Sequence, residues 1–291
     1  MSPGVRLQRS DERDVHSQYG EDGVLARIFA TLGVDDGVAV EFGAWDGVHL
    51  SNTAALRERG WVSVLIEGDP EKVQRLRALE DEKTVVVGAM VAAEGEWSID
   101  AILDRHRIEE VELLSIDIDG DDIHMLTHLR RRPRVICIEF NPTIPPPIAY
   151  VNPRGTCRGS SLAALAEVAT QLGYELVYAT FCNAFFVRRT DAAAFVALDV
   201  FAAYHLQARP VLASLYDGRF LVQNPPWGLY RHAWSTLPVY VPAVPRMLLG
   251  WPPTLSRVLL AYLYCAVAAP FFYVGTLVKE GIRQIRWRSR S

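Results

Sequence analysis

Five short apolar runs, separated by stretches of helical spacing, constrain this chain more than any other feature in it. They are VAVEFGAWDG (38–47), VSVLIEGDP (62–70), TVVVGAMV (84–91), ELLSIDIDGDD (112–122) and RVICIEFN (134–141). Their nearly continuous Val, Ile and Leu content predicts strands buried on both faces, and such strands belong to parallel sheets covered by helices. The intervals agree. SQYGEDGVLARIFATLG (17–33) places Val24, Leu25, Ile28, Phe29 and Leu32 at helical spacing and stops at Gly33. SNTAALRERG (51–60) reads as a helix capped by Ser51 or Asn52. Further helices are expected in EKVQRLRALEDE, near 98–107, over 122–130 and over 160–173. YELVYAT (174–180) and NAFFVRR (183–189) close the series as a hairpin-like pair.

Five such strands and a closing pair predict an α/β, Rossmann-like class I methyltransferase fold. Its sheet would be seven-stranded and mostly parallel, with helices on both faces. We expect this domain over residues 1–200, a Pro-rich connecting region over 201–257, and a hydrophobic helical appendage with a basic tail over 258–291. Hydrophobic residues make up 50% of the chain and charged residues 22%, enough apolar content for a core. The net charge of −4 is uneven: residues 279–291 carry five basic side chains and one acidic, leaving −8 for residues 1–278. An acidic body argues against a nucleic-acid partner. Cys137, Cys157, Cys182 and Cys265 lie too far apart for a local zinc knuckle. The polar N-terminus lacks an apolar signal core, so the catalytic body is expected in the cytoplasm.

In open α/β sheets the ligand lies beyond the carboxyl ends of the strands, so the residues there carry the chemistry. The first run ends in E-x-G-x-x-x-G, formed by Glu41, Gly43 and Gly47. Glycines let the backbone approach a ligand closely, and a carboxylate can receive the amino group of a methionine moiety. The GxGxxG spacing of dinucleotide enzymes is absent. Glu67 ends the second run, where an acid can accept hydrogen bonds from both ribose hydroxyls.

These blocks together resemble the FkbM-type methyltransferases. SQYGEDG, VEFGAWDGVHLSNT, GWVSVLIEGDP, LLSIDIDGDD, VICIEFNP and GSSLAALAEVA…GY…NAFFVRR are similar to that family's successive motifs over about residues 17–190. The resemblance implies a class I enzyme that moves a methyl group from S-adenosylmethionine, often to a hydroxyl of a sugar or natural product. It implies cofactor contacts from Glu41, Gly43, Gly47 and Glu67, with Gln18, Ser51 and Asn52 lining the same pocket. The third run ends Gly88-Ala89-Met90, without the acid that many relatives place near adenine.

Asp117, Asp119, Asp121 and Asp122 suggest a calcium loop, but its sixth position would be Asp122 and its twelfth His128, where Gly and Glu are required. If the strand continues, alternation puts Asp117 and Asp119 on one face. Either could act as general base on an acceptor hydroxyl, and Asp117 could also touch the cofactor. Alternatively Asp117 and Asp119, with Glu139 or Asn141, could hold Mg2+ or Mn2+. His49 and His16 flank the expected pocket as further bases. Asn224-Pro225-Pro226-Trp227 resembles an amino-methylation box but follows the whole sheet, out of order for that role.

Residues 258–278 run 21 positions without a charge, about 31 Å as a helix, enough to cross a bilayer core. A single crossing would put the basic tail on the far side from a cytosolic domain, against the positive-inside tendency. Pro270 allows a kinked or re-entrant helix whose tail returns to anionic lipid. The expectation is a cytosolic O-methyltransferase attached to the membrane, acting on a glycan, glycolipid or lipid-linked sugar. The rivals are a non-catalytic scaffold on the same fold and a nucleotide-sugar or NAD enzyme on a similar sheet.

Overall fold

The computed structural model describes residues 4–204, 211–214 and 220–223, with Leu263 and Val267 beyond them. The chain divides into two compact units, Met1–Leu206 and Gln207–Ser291.

After a 3-10 turn at Arg9–Asp11, the first unit forms helix α1 (Glu21–Leu32) and then alternates strand and helix: β1 (Val38–Phe42), α2 (Ala54–Glu58), β2 (Val62–Glu67), α3 (Pro70–Leu76), β3 (Thr84–Gly88), α4 (Ile99–Arg105), β4 (Leu113–Ile116), α5 (Asp122–His128), β5 (Val135–Glu139) and α6 (Leu162–Gln171). Strands β6 (Tyr174–Ala179) and β7 (Asn183–Arg188) follow, then short helices α7 (Arg189–Ala192) and α8 (Val200–Ala203). The seven strands form one sheet in the order β3-β2-β1-β4-β5-β7-β6. β1 to β5 are parallel, with Val40 opposite Val64 on one side and Leu114 on the other. β7 runs antiparallel to both β5 and β6. A reversed seventh strand inserted beside the fifth is the order of the class I methyltransferase fold, and the domain has that fold.

Strand alternation divides the core between the two faces. Val40, Phe42, Ile66, Leu114, Ile116, Ile136 and Ile138 point to one face and meet Ile102 of α4, Leu126 of α5 and Leu165 of α6. Ala39, Leu113, Val135 and Cys137 point to the other and meet Val24, Leu25, Ile28 and Phe29 of α1. Trp61 is 2% exposed in this second layer, and its indole Nε1 donates to the Asp35 carbonyl at 3.0 Å. A large ring with a polar edge can be buried because that edge is satisfied.

Several boundaries differ from the sequence expectation, for identifiable reasons. α1 starts at Glu21, not Ser17. One carboxylate oxygen of Asp22 accepts the amides of Val15, His16 and Ser17, all at 2.8 Å, which wraps the preceding chain into a loop. α2 starts at Ala54 because Ser51, Asn52 and Thr53 turn inward to Glu41. β4 stops at Ile116, so Asp117 and Asp119 do not alternate along a strand as expected. The chain turns there instead, with Asp119 in the left-handed region at φ 59°. The Asp122 carboxylate accepts the amides of Ile118 and Gly120 at 2.9 and 2.8 Å.

In the second unit, β8 (Val211–Ser214) and β9 (Phe220–Gln223) pair antiparallel, within the stretch expected only to connect. Among the described residues no helix is long and apolar enough to cross a membrane. Apart from Leu263 and Val267, the segment 258–278 lies outside the described residues, as do its basic tail and the Asn224–Trp227 box.

Candidate functional site

Glu41, on β1, is 4% exposed and its carboxylate is fully engaged by its own loop. Oε2 accepts the hydroxyls of Ser51 at 2.6 Å and Thr53 at 2.7 Å, and Oε1 accepts the Asn52 amide at 2.8 Å. Burial pushes the Glu41 carboxyl up, against these hydrogen bonds, which pull the other way. Asn52 Nδ2 also donates to Ser115 Oγ on β4 at 3.1 Å, tying the loop to the neighbouring strand. Ser51, Asn52 and Glu41 therefore form one buried polar knot at the ends of β1 and β4.

Gly43 and Gly47 have different tasks. Gly43 sits at φ 78°, and a Cβ there would lie 1.7 Å from the Asp117 carbonyl oxygen. Only glycine lets the first loop pass the end of β4 this closely. Gly47, at φ 73°, packs under Leu76, Leu79 and Leu65 on the α3 side. Glu67, at the end of β2, is 8% exposed and receives one backbone amide on each oxygen, Trp45 and Asp69, both at 2.9 Å. Each oxygen keeps a further lone pair. Around it stand two exposed apolar groups. Trp45 is 49% exposed, with Lys72 Nζ 3.9 Å above its ring. Met90, just past β3, is 76% exposed, and its sulfur stands 2.9 Å from where a Cβ of Gly68 would be.

The turn after β4 brings three carboxylates together. One oxygen each of Asp117, Asp119 and Glu139 lie within 4.8 Å of one another, with Glu139 supplied by β5. The Asp117 carboxylate is half-buried and accepts no hydrogen bond among the described residues. Burial raises its pKa well above the ordinary value, and the charges of Asp122, Asp119, Glu41 and Glu21 push the same way. Asp122 is pushed up to about 6 by burial, opposed by the two amides it accepts.

Sequence reasoning missed part of this surface. Glu21 is fully buried, and its Oε1 accepts Thr180 Oγ1 at 2.6 Å and Asn183 Nδ2 at 3.1 Å. The start of α1 is thereby fastened to the β6–β7 turn, beside Glu139, which is paired with Asn183 across the sheet. An acid in the first turn of a helix reads as a dipole partner, and nothing in its spacing signals burial. The predicted residues Gln18 and His49 are exposed: Gln18 Nε2 reaches only Tyr19 Oη, at 3.4 Å, and the His49 amide donates to Asp46. His16 pairs with Glu58 of α2 at 2.9 Å. The structure thus joins Glu41, Ser51 and Asn52, and separately Asp117, Asp119 and Glu139, while His49 and Gln18 are exposed and touch neither group.

The insertion after β5 closes over the turn. Asn152 is fully buried; its Nδ2 donates to Asp121 Oδ1 and to the carbonyls of Pro153 and Thr156, and its Oδ1 accepts Thr156 Oγ1 and the Arg158 amide. The Thr156 carbonyl lies 2.2 Å from where a Cβ of Gly120 would be, so the insertion rests directly on the 117–121 turn.

No family model matches the chain, and no curated protein matches it in sequence. Among solved structures it is similar to TrmK of M. capricolum, seen with S-adenosylhomocysteine (8% identity, 56% of this chain and 67% of that one, TM-score 0.37). It is also similar to a putative caffeoyl-CoA O-methyltransferase of Staphylococcus aureus (9%, 57% and 82%, TM-score 0.39) and to DesVI of Streptomyces venezuelae (12%, 58% and 90%, TM-score 0.37). At these identities and scores the likeness assigns neither an activity nor a residue's role. The class I methyltransferase fold rests on the order and direction of the seven strands.

Proposed function

We propose that the domain is an S-adenosylmethionine-dependent methyltransferase that methylates a hydroxyl, on a glycan, glycolipid or lipid-linked sugar at the cytosolic membrane face. The observation that carries this reading is the half-buried Asp117 carboxylate at the end of β4, without a hydrogen-bond partner among the described residues and with a raised pKa. The donor set suits the cofactor. Glu67 has lone pairs left for two ribose hydroxyls, and Trp45 and Met90 offer apolar surface beside it for a base, where the sequence lacks an acid. The crowded carboxylates suit a ligand bearing sulfonium and ammonium charges. Glu41 would act through its charge and through the Ser51–Asn52 segment it holds.

Bound S-adenosylmethionine supplies an electrophilic methyl group. The chain's part is to bind the two reactants, exclude water and take the proton released from the acceptor hydroxyl. Asp117 is the group for that proton, because a raised pKa brings a carboxylate closer to the basicity such a transfer needs. The insertion, resting on the 117–121 turn, would bound the acceptor side. We infer also that the FkbM-like blocks mark one site; the contact between Glu21 in SQYGEDG and Asn183 in NAFFVRR supports this.

A second reading is favoured by the spacing of Asp117, Asp119 and Glu139, which suits a hard divalent cation such as Mg2+ or Mn2+. In that case the metal would orient the acceptor oxygen and lower its pKa. One experiment tests both readings: transfer of labelled methyl from S-adenosylmethionine to glycan and lipid extracts, with and without chelator. Transfer to a hydroxyl-bearing lipid or glycan is expected. Loss in chelator and recovery with magnesium or manganese would assign the metal, and full activity in chelator would leave Asp117 as base. Transfer confined to an amino group or to nucleic acid would refute the proposal.

A further inference from the structure

A cavity of about 370 Å³ lies between the 13–15 segment, α1 and α2, and reaches Asn52 of the strand-end knot. Its volume falls within the range of small-molecule sites, roughly 300–1,000 Å³, and is an order of magnitude above the ~30 Å³ share of one water. One wall is apolar, from Leu25 and Ala26 of α1 and Ala55 and Leu56 of α2. Asp22 also lines it. Asp22 is 5% exposed, and its two oxygens are used very unequally. Oδ2 accepts three backbone amides at 2.8 Å, whereas Oδ1 is buried and has no hydrogen-bond partner among the described residues. A buried acceptor left unmet is costly and is rarely retained without a reason. The remaining lining adds charge. Arg13 and Arg59 are exposed at the cavity, and neither guanidinium has an ion pair or hydrogen bond among the described residues. Glu58, the other charged group there, is already paired with His16 at 2.9 Å.

We propose that this cavity, which shares Asn52 with the strand-end knot, binds a sugar phosphate, whether or not the methyltransferase reading holds. Two free guanidiniums match a phosphate dianion. The unmet Asp22 oxygen, once a local shift uncovers it to the cavity, matches a sugar hydroxyl. The Leu25, Ala26, Ala55 and Leu56 wall matches the C–H face of a sugar ring. Inorganic phosphate would satisfy the arginines alone, and a neutral sugar would satisfy only the rest.

The test is calorimetric titration of the full chain, without S-adenosylmethionine, using glucose 6-phosphate, glucose and inorganic phosphate in parallel. Saturable binding of glucose 6-phosphate with a Kd of about 1 mM or tighter is expected, with each control at least 10-fold weaker. The pair Arg13→Ala and Arg59→Ala, both on the surface, should weaken it at least 10-fold. Ala55→Leu, which fills the cavity, should remove it, with thermal melting showing each variant folded. Absence of saturation by about 10 mM, equal binding of inorganic phosphate, or unchanged binding in the arginine pair would overturn the proposal. If Ala55→Leu does not fold, the arginine pair and the two controls still decide it.

Discussion

Asp117 is where the chemistry of single residues is most exposed to test. A carboxyl whose pKa is raised in the folded protein stays protonated to higher pH than its ordinary value of 3.8. A base must be ionised to work, so turnover should rise as pH increases through that raised value. We predict an ascending limb well above pH 3.8, and Asp117→Asn should abolish it while lowering kcat by about 10²- to 10⁴-fold. The profile of kcat against pH checks this; an unchanged limb in the variant would show that another group titrates. The sign for stability is opposite: between the unfolded and folded values the native state holds more protons, so this group's contribution to stability falls as pH rises through that window. Asp117 and Glu67 were readable in the sequence because each follows an apolar run. Glu21 and Asp22 were not, because two acids opening a helix look solvated until Thr180, Asn183 and the 15–17 amides are seen to meet them. The joint position of Asp117 and Asp119 was anticipated for the wrong reason, since strand alternation plays no part in it.

Among the elements, the insertion between β5 and α6 combines a legible composition with an illegible structure. Its prolines mark irregular chain, but nothing in NPTIPPPIAYVNPRGTCRGS singles out Asn152 as the residue that organises it. Asn152→Ala would strip partners from the Asp121 carboxylate, the Thr156 carbonyl and the Arg158 amide, a local loss of about 2–3 kcal/mol. Arg154 and Arg158 are exposed in this loop, so trypsin should cut the variant there much faster than the wild type, with the sheet unaffected by thermal melting. Equal cleavage rates would mean the loop is held by something else. Most helices and strands of the sheet domain were legible, because period and glycine stops are local properties, but β4 ends six residues before its apolar run does. The shortened starts of α1 and α2 were not, being set by carboxylates at Asp22 and Glu41. The β8–β9 pair has a sequence signal of its own: Asp217-Gly218 between VLAS and FLVQ is a hairpin pattern.

Taken as one molecule, the chain joins a sheet domain to a segment whose sequence suits lipid. All seven strands of the class I sheet lie before Arg189, so strand pairing does not need residues 258–291. Truncation before Val258 should leave a folded, cofactor-binding protein in the soluble fraction, whereas the full chain should sediment with membranes. Fractionation with a cofactor-binding assay checks this; a truncated protein that aggregates would make 258–278 part of a core. The central claim is the cofactor, and calorimetric titration of S-adenosylmethionine into the full chain tests it most directly. The account predicts saturable one-to-one binding, weakened in Glu67→Ala by about 1.5–3 kcal/mol, near 10- to 100-fold. Unchanged affinity in that variant would contradict the assignment of Glu67, and tight NAD binding by the wild type, with none of S-adenosylmethionine, would contradict the claim itself.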